Sequence, residues 1–446
     1  MNFLKNTAVY IALLIISVCF FYYINSMSKP LNKWEMSRYI TPDSKTYLDV
    51  GNWLVGKCEF VHAKDSIAIR PFFYPLVVAI LESIHPLAII IFQLILWQIQ
   101  IFIVYFCSLK ISKSKLLAFF IALISISIVS NIGISLHVLT ETITSFFITF
   151  SLLMLFVFSC KKSYIYISFY LLSLSFCSVV RPSFLYIYIL STIMIVAFNL
   201  KDMRFIYVLS IAMTVIPISA QSYIMKKHFN TYKISFIDTF AINDYFLSGL
   251  ELYKRNLEGD SYKYQYIHTI RDARRRYIAE MIARDGYKKA SENIKKVFLD
   301  NLTGYPVETF RQFKDLVVEN STQPSSIFIS ENKEMNIFFK NVTLLQSRFI
   351  LTINIFSVLF FTIIFSIFIL NKRYIIDNYI MFTSLLFFCI YFTYLSTGVT
   401  FWQGDRFLIP IYYTSIILFI YQAKILFQVI RNTSSQLSSI YQENDF

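Results

Sequence analysis

Long runs of apolar residues alternate along this chain with short polar connections. Each run approaches the roughly 20 residues that an α-helix needs to cross a bilayer, and the runs carry almost no charge at their centres. The pattern therefore predicts an all-α polytopic membrane protein with about ten transmembrane helices. The predicted spans are Thr7–Ile24, Pro86–Cys107, Leu116–Ser130, Thr142–Phe158, Tyr164–Val180, Phe184–Asn199, Phe205–Ile224, Phe349–Leu370, Tyr379–Leu395 and Leu408–Tyr421.

The connections between the runs predict an orientation. Basic residues near span ends stay preferentially in the cytoplasm. If the N-terminus is cytoplasmic, every short lysine-bearing connection falls on that side, and so does the C-terminus. The basic residues concerned are Lys110, Lys113, Lys115, Lys161, Lys162, Lys201, Arg204, Lys372, Arg373, Lys424 and Arg431.

Two long loops then lie on the opposite, outer side. The first covers about residues 26–85, and two of its segments, Ser44–Val55 and Pro71–Ile84, have helical patterning but are too short to span. Pro71–Ile84 is expected to lie along the membrane interface or to dip partly into the membrane. The second loop has an amphipathic pattern, in which apolar residues recur at helical spacing: Ile267, Ile270, Tyr277, Ile278, Met281, Ile282, Ile294, Val297 and Phe298. We divide the chain into an N-terminal transmembrane module that carries the candidate site (1–225), a helical loop (226–346) and C-terminal transmembrane helices with a short tail (347–446).

Composition supports the membrane prediction and narrows the class of partner. Of the 446 residues, 56% are hydrophobic and 15% are charged, with a net charge of +14, so the lipid bilayer is the expected solvent. The excess of positive charge favours anionic headgroups or phosphorylated substrates and not nucleic acid. The six cysteines show no paired spacing, so neither a disulfide framework nor a cysteine metal site is predicted. No predicted span carries an ionisable residue near its centre, which disfavours an ion-coupled transporter.

Two acidic residues at the outer side are candidates for catalysis. Asp43 could act as a general base for an acceptor hydroxyl, although Asp is also a favoured N-cap and could simply begin the helix Ser44–Val55. Glu141 heads the fourth span, where an acid complements the helix dipole. A second carboxylate facing Asp43 could instead orient an acceptor or bind a divalent cation, with His137 as a further candidate.

Three arginines lie on the same side. Arg70 precedes Pro71, Arg181 precedes Pro182 in the turn between the fifth and sixth spans, and Arg406 leads into the last span. A guanidinium matches the oxygens of a phosphate group, so these residues could converge on one lipid phosphate. Each could also be a headgroup anchor for its own helix.

These stretches together resemble the GT-C superfamily of polytopic glycosyltransferases, which use polyprenyl-phosphate sugar donors. The resemblance is to bacterial relatives of protein O-mannosyltransferases and of the lipid A aminoarabinose transferase. It extends over the predicted transmembrane part in order and approximate spacing. It depends on Asp43-Ser-Lys-Thr-Tyr47, Arg70-Pro-Phe-Phe-Tyr-Pro75, Leu139-Thr-Glu141, Arg181-Pro182, Met225–Ile234 and Arg406-Phe-Leu-Ile-Pro410.

The resemblance implies a function and a role for each residue. Asp43 would be the base, Arg70, Arg181 and Arg406 would bind the donor phosphate, and Glu141 would assist catalysis. Family members often have an acidic pair where this chain has Asp43-Ser44, and this difference weakens the case for a metal at that point. No cofactor is predicted as required, and a divalent cation held by Asp43 and Glu141 is the alternative. The candidate substrate contacts are Tyr47, Tyr74 and His137.

The expected activity is inverting transfer of a sugar to an envelope acceptor such as O-antigen, at the periplasmic face of a bacterial inner membrane. The leading alternative is a polysaccharide polymerase or a flippase for lipid-linked oligosaccharides. A non-catalytic assembly protein is the third.

Overall fold

The computed structural model describes residues 2–28, 39–161, 163–199, 205–257, 260–323, 333–370, 377–400 and 404–443, and within these ranges every regular element is helical. The α-helices are α1 (Asn2–Ser28), α2 (Pro42–Leu54), α3 (Phe60–Ile69), α4 (Phe73–Ile84), α5 (Ala88–Ser112), α6 (Lys115–Ile126), α7 (Val129–Ser135), α8 (Glu141–Lys161), α9 (Tyr164–Val180), α10 (Phe184–Asn199), α11 (Phe205–Met213), α12 (Ile216–Phe229), α13 (Ile237–Phe240), α14 (Leu247–Lys254), α15 (Asp260–Gly304), α16 (Pro306–Thr322), α17 (Lys333–Leu370), α18 (Asp377–Ser396) and α19 (Tyr412–Glu443). A π-helical segment covers Ala241–Phe246, and 3-10 turns cover Thr397–Val399, Gly404–Phe407 and Ile409–Ile411.

Six helical segments in the described ranges are long and apolar enough to cross a membrane, or seven if a bent pair counts as one span. This confirms an α-helical protein with membrane-spanning helices, while the total of ten stays a prediction. Shorter apolar helices occupy Phe73–Ile84, Tyr164–Val180 and Phe184–Ala197. The six long segments are Thr7–Ser26, Ala88–Ser112, Glu141–Lys161, Ile337–Ser366, Phe382–Val399 and Ile409–Gln428.

The predicted span Leu116–Ser130 is not one straight helix. It divides into α6 and α7, which meet at an angle of 55°. The side chain of Gln346 closes the break: its Oε1 accepts from the backbone N–H of Val129 at 2.9 Å, and its Nε2 donates to the carbonyl of Ser127 at 2.6 Å. A side chain from a distant helix therefore satisfies the backbone groups that the bend frees, as irregular backbone within a bundle requires.

The predicted span Phe205–Ile224 is also wrong as a continuous helix. α11 ends at Met213, and α12 begins at Ile216 with Pro217 in its first turn. Proline has no N–H and fixes φ, so it fits the start of a new helix better than a helix interior. The apolar pattern alone gave no sign of the break.

Large apolar side chains are exposed along the membrane-spanning helices. Ile15, Ile91, Phe120, Ile193 and Leu359 are each about half exposed or more. Exposed apolar side chains on several helices are consistent with contact with lipid. The opposite helix faces form one continuous hydrophobic core within the bundle.

Two helices give the bundle a direction. Gln93 of α5 lies beside His137, and Gln100 of α5 accepts a hydrogen bond from Ser145 of α8. α5 and α8 therefore run the same way, starting from the end where Glu141 opens α8, which we call the site end. The far ends of these helices carry Lys110 and Lys161.

The second predicted loop forms a helical lobe that begins with α13 and ends with α16. As the amphipathic pattern predicts, Ile267, Ile278 and Met281 are buried in its own hydrophobic core. The pattern is wrong for Tyr277, whose side chain is half exposed. α15 breaks at Gly286, whose φ of 79° is a left-handed conformation. The described chain resumes at Lys333 in α17, so this helix begins inside the predicted loop and continues into the membrane-spanning segment.

α2 and α4 cross at close range beneath the candidate site. A Cβ atom at Gly51 would lie 2.7 Å from the carbonyl oxygen of Pro75 and 3.0 Å from the Cβ of Ala79. Only glycine permits this approach without movement of the backbone. The crossing fixes where α2, and therefore Asp43, lies over the bundle.

A candidate anion-binding and catalytic site

The segment Thr41-Pro-Asp-Ser44 places Asp43 in the first turn of α2. Thr41 and not Asp43 is the N-cap: its side chain accepts from the backbone N–H of Ser44, and Ser44 Oγ accepts from that of Thr41, forming a capping box. Ser44 Oγ also donates to the carbonyl of Val138 at 2.9 Å. The cap interpretation of Asp43 is therefore wrong, and its carboxylate is available for other contacts.

Arg70 turns back from the end of α3 onto α2. Its backbone is extended, as expected before proline, and its side chain is only 16% exposed. All three guanidinium nitrogens donate hydrogen bonds: Nη2 to Asp43 Oδ1 at 2.9 Å, Nε to Thr46 Oγ1 at 2.9 Å, and Nη1 to the Tyr47 hydroxyl at 3.0 Å. A headgroup anchor would extend into solvent, so the structure disfavours that interpretation.

Arg406 joins the two carboxylates. It lies in the 3-10 turn that begins at Gly404. Its Nε donates to Glu141 Oε1 at 2.6 Å, and its Nη1 lies 2.9 Å from Asp43 Oδ2. The side chain of Glu141 is 1% exposed and that of Asp43 is 40% exposed. One guanidinium therefore bridges a buried carboxylate and a solvent-accessible one.

Arg181 is the third arginine of this group. Its guanidinium carbon lies 4.3 Å from the ring centroid of Phe407, the residue that follows Arg406. Its side chain makes no hydrogen bond or ion pair with any residue that the structure describes, and its Nη1 is buried. Burial lowers the pKa of Arg181, while the nearby Glu141 raises it and Arg406 lowers it further. The positive charge of Arg181 therefore has no direct partner there.

The charges of this cluster do not balance. Among the five side chains described so far, Arg70, Arg181 and Arg406 contribute three positive charges against two negative charges from Asp43 and Glu141, which leaves one positive charge. A third carboxylate, that of Asp405, lies beside Arg406 in sequence and accepts hydrogen bonds from hydroxyl groups of three other helices. Buried charge without a partner is costly. The cluster is therefore suited to receive an anion.

The arginines also set the protonation of Asp43. Burial by itself raises the pKa of this carboxyl, but Arg406 and Arg70 together outweigh that effect and hold the pKa below its ordinary value. Burial lowers the pKa of Arg406, but the negative charges of Glu141 and, to a smaller extent, of Asp43 outweigh this effect and raise the pKa. Asp43 is therefore ionised at neutral pH and can accept a proton.

The aromatic candidates lie behind the cluster. The rings of Tyr47 and Tyr74 meet edge to face at 5.0 Å, and the Tyr74 hydroxyl donates to Gln93 Oε1. Gln93 Nε2 in turn donates to the carbonyl of His137, whose ring Nδ1 lies 2.9 Å from the carbonyl of Gly133. Tyr47 touches the cluster through Arg70. Tyr74 and His137 are buried supports in this state, and their role as substrate contacts stays a prediction.

The two carboxylates do not form a ready metal site in this arrangement. The guanidinium of Arg406 lies between Asp43 and Glu141. Within the described ranges, no group of three or more His, Cys, Asp or Glu side chains is placed to hold a metal ion. Glu141 Oε2 is buried without a hydrogen-bond partner there.

Sequence analysis missed the role of Asp405. This residue is fully buried, and its Oδ2 accepts hydrogen bonds from Ser130 at 2.8 Å, Ser347 at 3.0 Å and Tyr412 at 2.9 Å. The donors come from α7, α17 and α19, so Asp405 fixes the turn that carries Arg406 to three helices. An acid directly beside an arginine at a span entrance was the only local signal.

No protein-family model, no curated protein and no solved structure matches this chain. The functional conclusion therefore depends on the geometry of the cluster.

Proposed function

We propose that this protein is an integral membrane glycosyltransferase that moves a sugar from a polyprenyl-phosphate donor to a cell-envelope glycan. The observation that supports this most is the charge of the cluster: Arg70 and Arg406 pair with Asp43 and Glu141, a third guanidinium, that of Arg181, lies against Phe407 beside them, and the carboxylate of Asp43 is accessible. The phosphate of a donor would match the positive charge of the cluster. The hydroxyl of an acceptor could lose its proton to the accessible carboxylate of Asp43. The proposed setting is the periplasmic face of a bacterial inner membrane.

The donor phosphate would bind among the arginines. Arg181 has no competing hydrogen bond in the described part of the chain, so it is the first available contact for phosphate oxygens. Arg70 and Arg406 would then share their donors between the phosphate and Asp43. Guanidinium groups held in place before reaction stabilise charge that develops on a leaving phosphate.

The reaction would be a single displacement. The acceptor oxygen forms a bond to the anomeric carbon as its hydroxyl proton passes to the carboxylate of Asp43. The bond between that carbon and the phosphate oxygen breaks, and the phosphate leaves with the electron pair. Attack opposite the leaving group inverts the anomeric centre. Positioning and electrostatics carry this scheme.

The position of the cluster suits a lipid-linked donor. Asp43 lies at the site end of the bundle, next to Glu141 in the first residue of a membrane-spanning helix. A polyprenyl chain could remain among the lipids while its phosphate reaches the arginines.

Two variants test the proposal in membranes supplied with short-chain polyprenyl-phosphate hexoses. Asp43→Asn removes the base and should reduce transfer by about 10² to 10⁴-fold. Arg70→Ala removes a phosphate contact and should reduce it by about 10² to 10³-fold. Mass spectrometry of the surface glycan would measure the loss of one hexose.

Matched controls separate chemistry from folding. Asp49→Asn changes an aspartate of the same helix, α2, which accepts a hydrogen bond from Ser66. Arg274→Ala changes an arginine of similar exposure that pairs with Glu251 in the lobe. Both controls should transfer sugar normally. Full activity of Asp43→Asn or Arg70→Ala at normal protein levels would refute the proposal.

The same assay addresses the alternative of a polymerase or flippase. A polymerase would add whole repeat units from a diphosphate-linked donor, and a flippase would form no covalent product and would tolerate Asp43→Asn.

A further inference from the structure

One face of α16 leaves apolar side chains uncovered. Val307 is 63% exposed and Phe310 is 69% exposed. They line an open groove of about 430 Å³ together with Pro306, Arg311 and Lys314. Covering these two side chains would remove apolar surface from water, which is favourable.

The groove lies close to the edge of the membrane-spanning part. Phe313, three residues after Phe310, packs on Gly398, where an added Cβ atom would meet its ring at 2.4 Å. Gly398 is in the last turn of the candidate span Phe382–Val399. Because an α-helix rises 1.5 Å per residue, Phe310 lies within about 5 Å of Phe313 along the axis of α16.

A second contact holds α16 at this level. Asn320 Nδ2 donates to the carbonyls of Thr397 at 3.0 Å and Thr400 at 2.7 Å. Phe313 and Asn320 are about 10 Å apart along the helix, yet both contact the same short segment at the end of the span. α16 is therefore fixed against the site end of the bundle over two turns.

The charge of the groove indicates the chemistry of its partner. Both charged residues that line it, Arg311 and Lys314, are basic. Lys314 also has an exposed ion pair with Asp315 at 3.5 Å, an interaction that contributes little in water. Apolar side chains flanked by basic residues are typical of helices that lie in the headgroup region of a membrane.

We propose that this groove of α16 docks on the bilayer surface and binds anionic lipid headgroups. Val307 and Phe310 enter the boundary between headgroups and acyl chains, and Arg311 and Lys314 contact lipid phosphates. This contact is independent of the proposed sugar transfer. It would hold the helical lobe beside the cluster, since the carbonyl of Gln323 at the end of α16 accepts from the backbone N–H of Asp405.

Tryptophan fluorescence in nanodiscs tests the proposal with the full-length protein. Phe310→Trp adds a reporter to the groove, and Tyr277→Trp adds one to a half-exposed position of α15 as a control. The emission added at position 310 should be quenched by lipids brominated near the headgroup, at least twofold more than that added at position 277. Iodide in solution should quench position 277 more strongly.

Lipid charge tests the headgroup part. Quenching at position 310 should increase when phosphatidylglycerol replaces part of the phosphatidylcholine, and Arg311→Gln with Lys314→Gln should remove this increase. Lys288→Gln with Lys289→Gln, two exposed lysines of α15, should leave it unchanged. Equal quenching in both lipids would overturn the proposal. It would also be overturned if iodide reached both positions equally, or if crosslinking placed the groove against a second copy.

Discussion

Two aspartates near the site end of the bundle occupy opposite environments. Asp43 is partly exposed and contacts two guanidiniums, whereas Asp405 is fully buried and accepts from three hydroxyl groups. They are connected through Arg406, which follows Asp405 in sequence and bridges Asp43 and Glu141. One carboxylate is partly exposed and paired with guanidinium groups, and the other is enclosed by hydroxyl groups.

The comparison separates chemistry from support. Around Asp43 the charges do not balance, and the nearby Arg181 lacks a partner among the described residues. Around Asp405 the donors come from three different helices and converge on one oxygen. An unbalanced, accessible carboxylate is free to exchange partners with a ligand. A buried and hydrogen-bonded one instead holds the backbone that presents Arg406.

The largest effect should come from removing the bridge itself. Arg406→Ala leaves the buried carboxylate of Glu141 without its cation, which should reduce the free energy of unfolding by about 3–5 kcal/mol. Thermal denaturation in detergent measures this loss. Glu141→Gln in the same background should recover a large part of it. If Arg406→Ala had the same melting temperature as the wild type, the ion pair between Arg406 and Glu141 would not stabilise the fold.

Asp405→Asn should have a smaller effect on stability and an indirect effect on activity. The amide keeps an acceptor but loses the charge that strengthens the three hydrogen bonds, so a loss of about 1.5–3 kcal/mol is expected. Asp43→Asn should lose sugar transfer, with a smaller change in melting temperature than Asp405→Asn. If Asp405→Asn and Asp43→Asn had the same effect on melting temperature and the same effect on sugar transfer, the two aspartates would not have the different roles described here.

The smallest effect concerns pH. The pKa of Asp43 is lower in the folded protein than in the unfolded chain, where it is about 3.9, so its contribution to stability is complete above that value. The contribution disappears as the pH falls through the lower folded-state pKa. The difference in melting temperature between the wild type and Asp43→Asn should therefore stay constant from pH 7 to about pH 5. A difference that already declined between pH 7 and pH 6 would contradict a lowered pKa.

Much of the helical layout could be predicted from the sequence, because helices that cross a bilayer need long apolar runs. The orientation indicated by the lysine positions stays a prediction. The grouping of Asp43, Arg70, Glu141 and Arg406 could be predicted as well, because each lies at the same end of a run. Their catalytic roles stay a prediction.

Other features could not be predicted, because they depend on contacts between distant residues. The bend before Val129 is completed by Gln346, more than 200 residues away in sequence. Asp405 acquires its environment from Ser130 and Ser347 on separate helices. Periodicity predicts that a helix forms, but it does not show where tertiary contacts allow the helix to break.

The glycine at the crossing of α2 and α4 gives the molecule a mechanical weak point. Gly51 is eight residues from Asp43, a lever of about 12 Å along α2. A methyl group there would clash with the backbone of Pro75 and would change the angle between α2 and α4. Such a change could separate Asp43 from Arg70 without altering any charged residue.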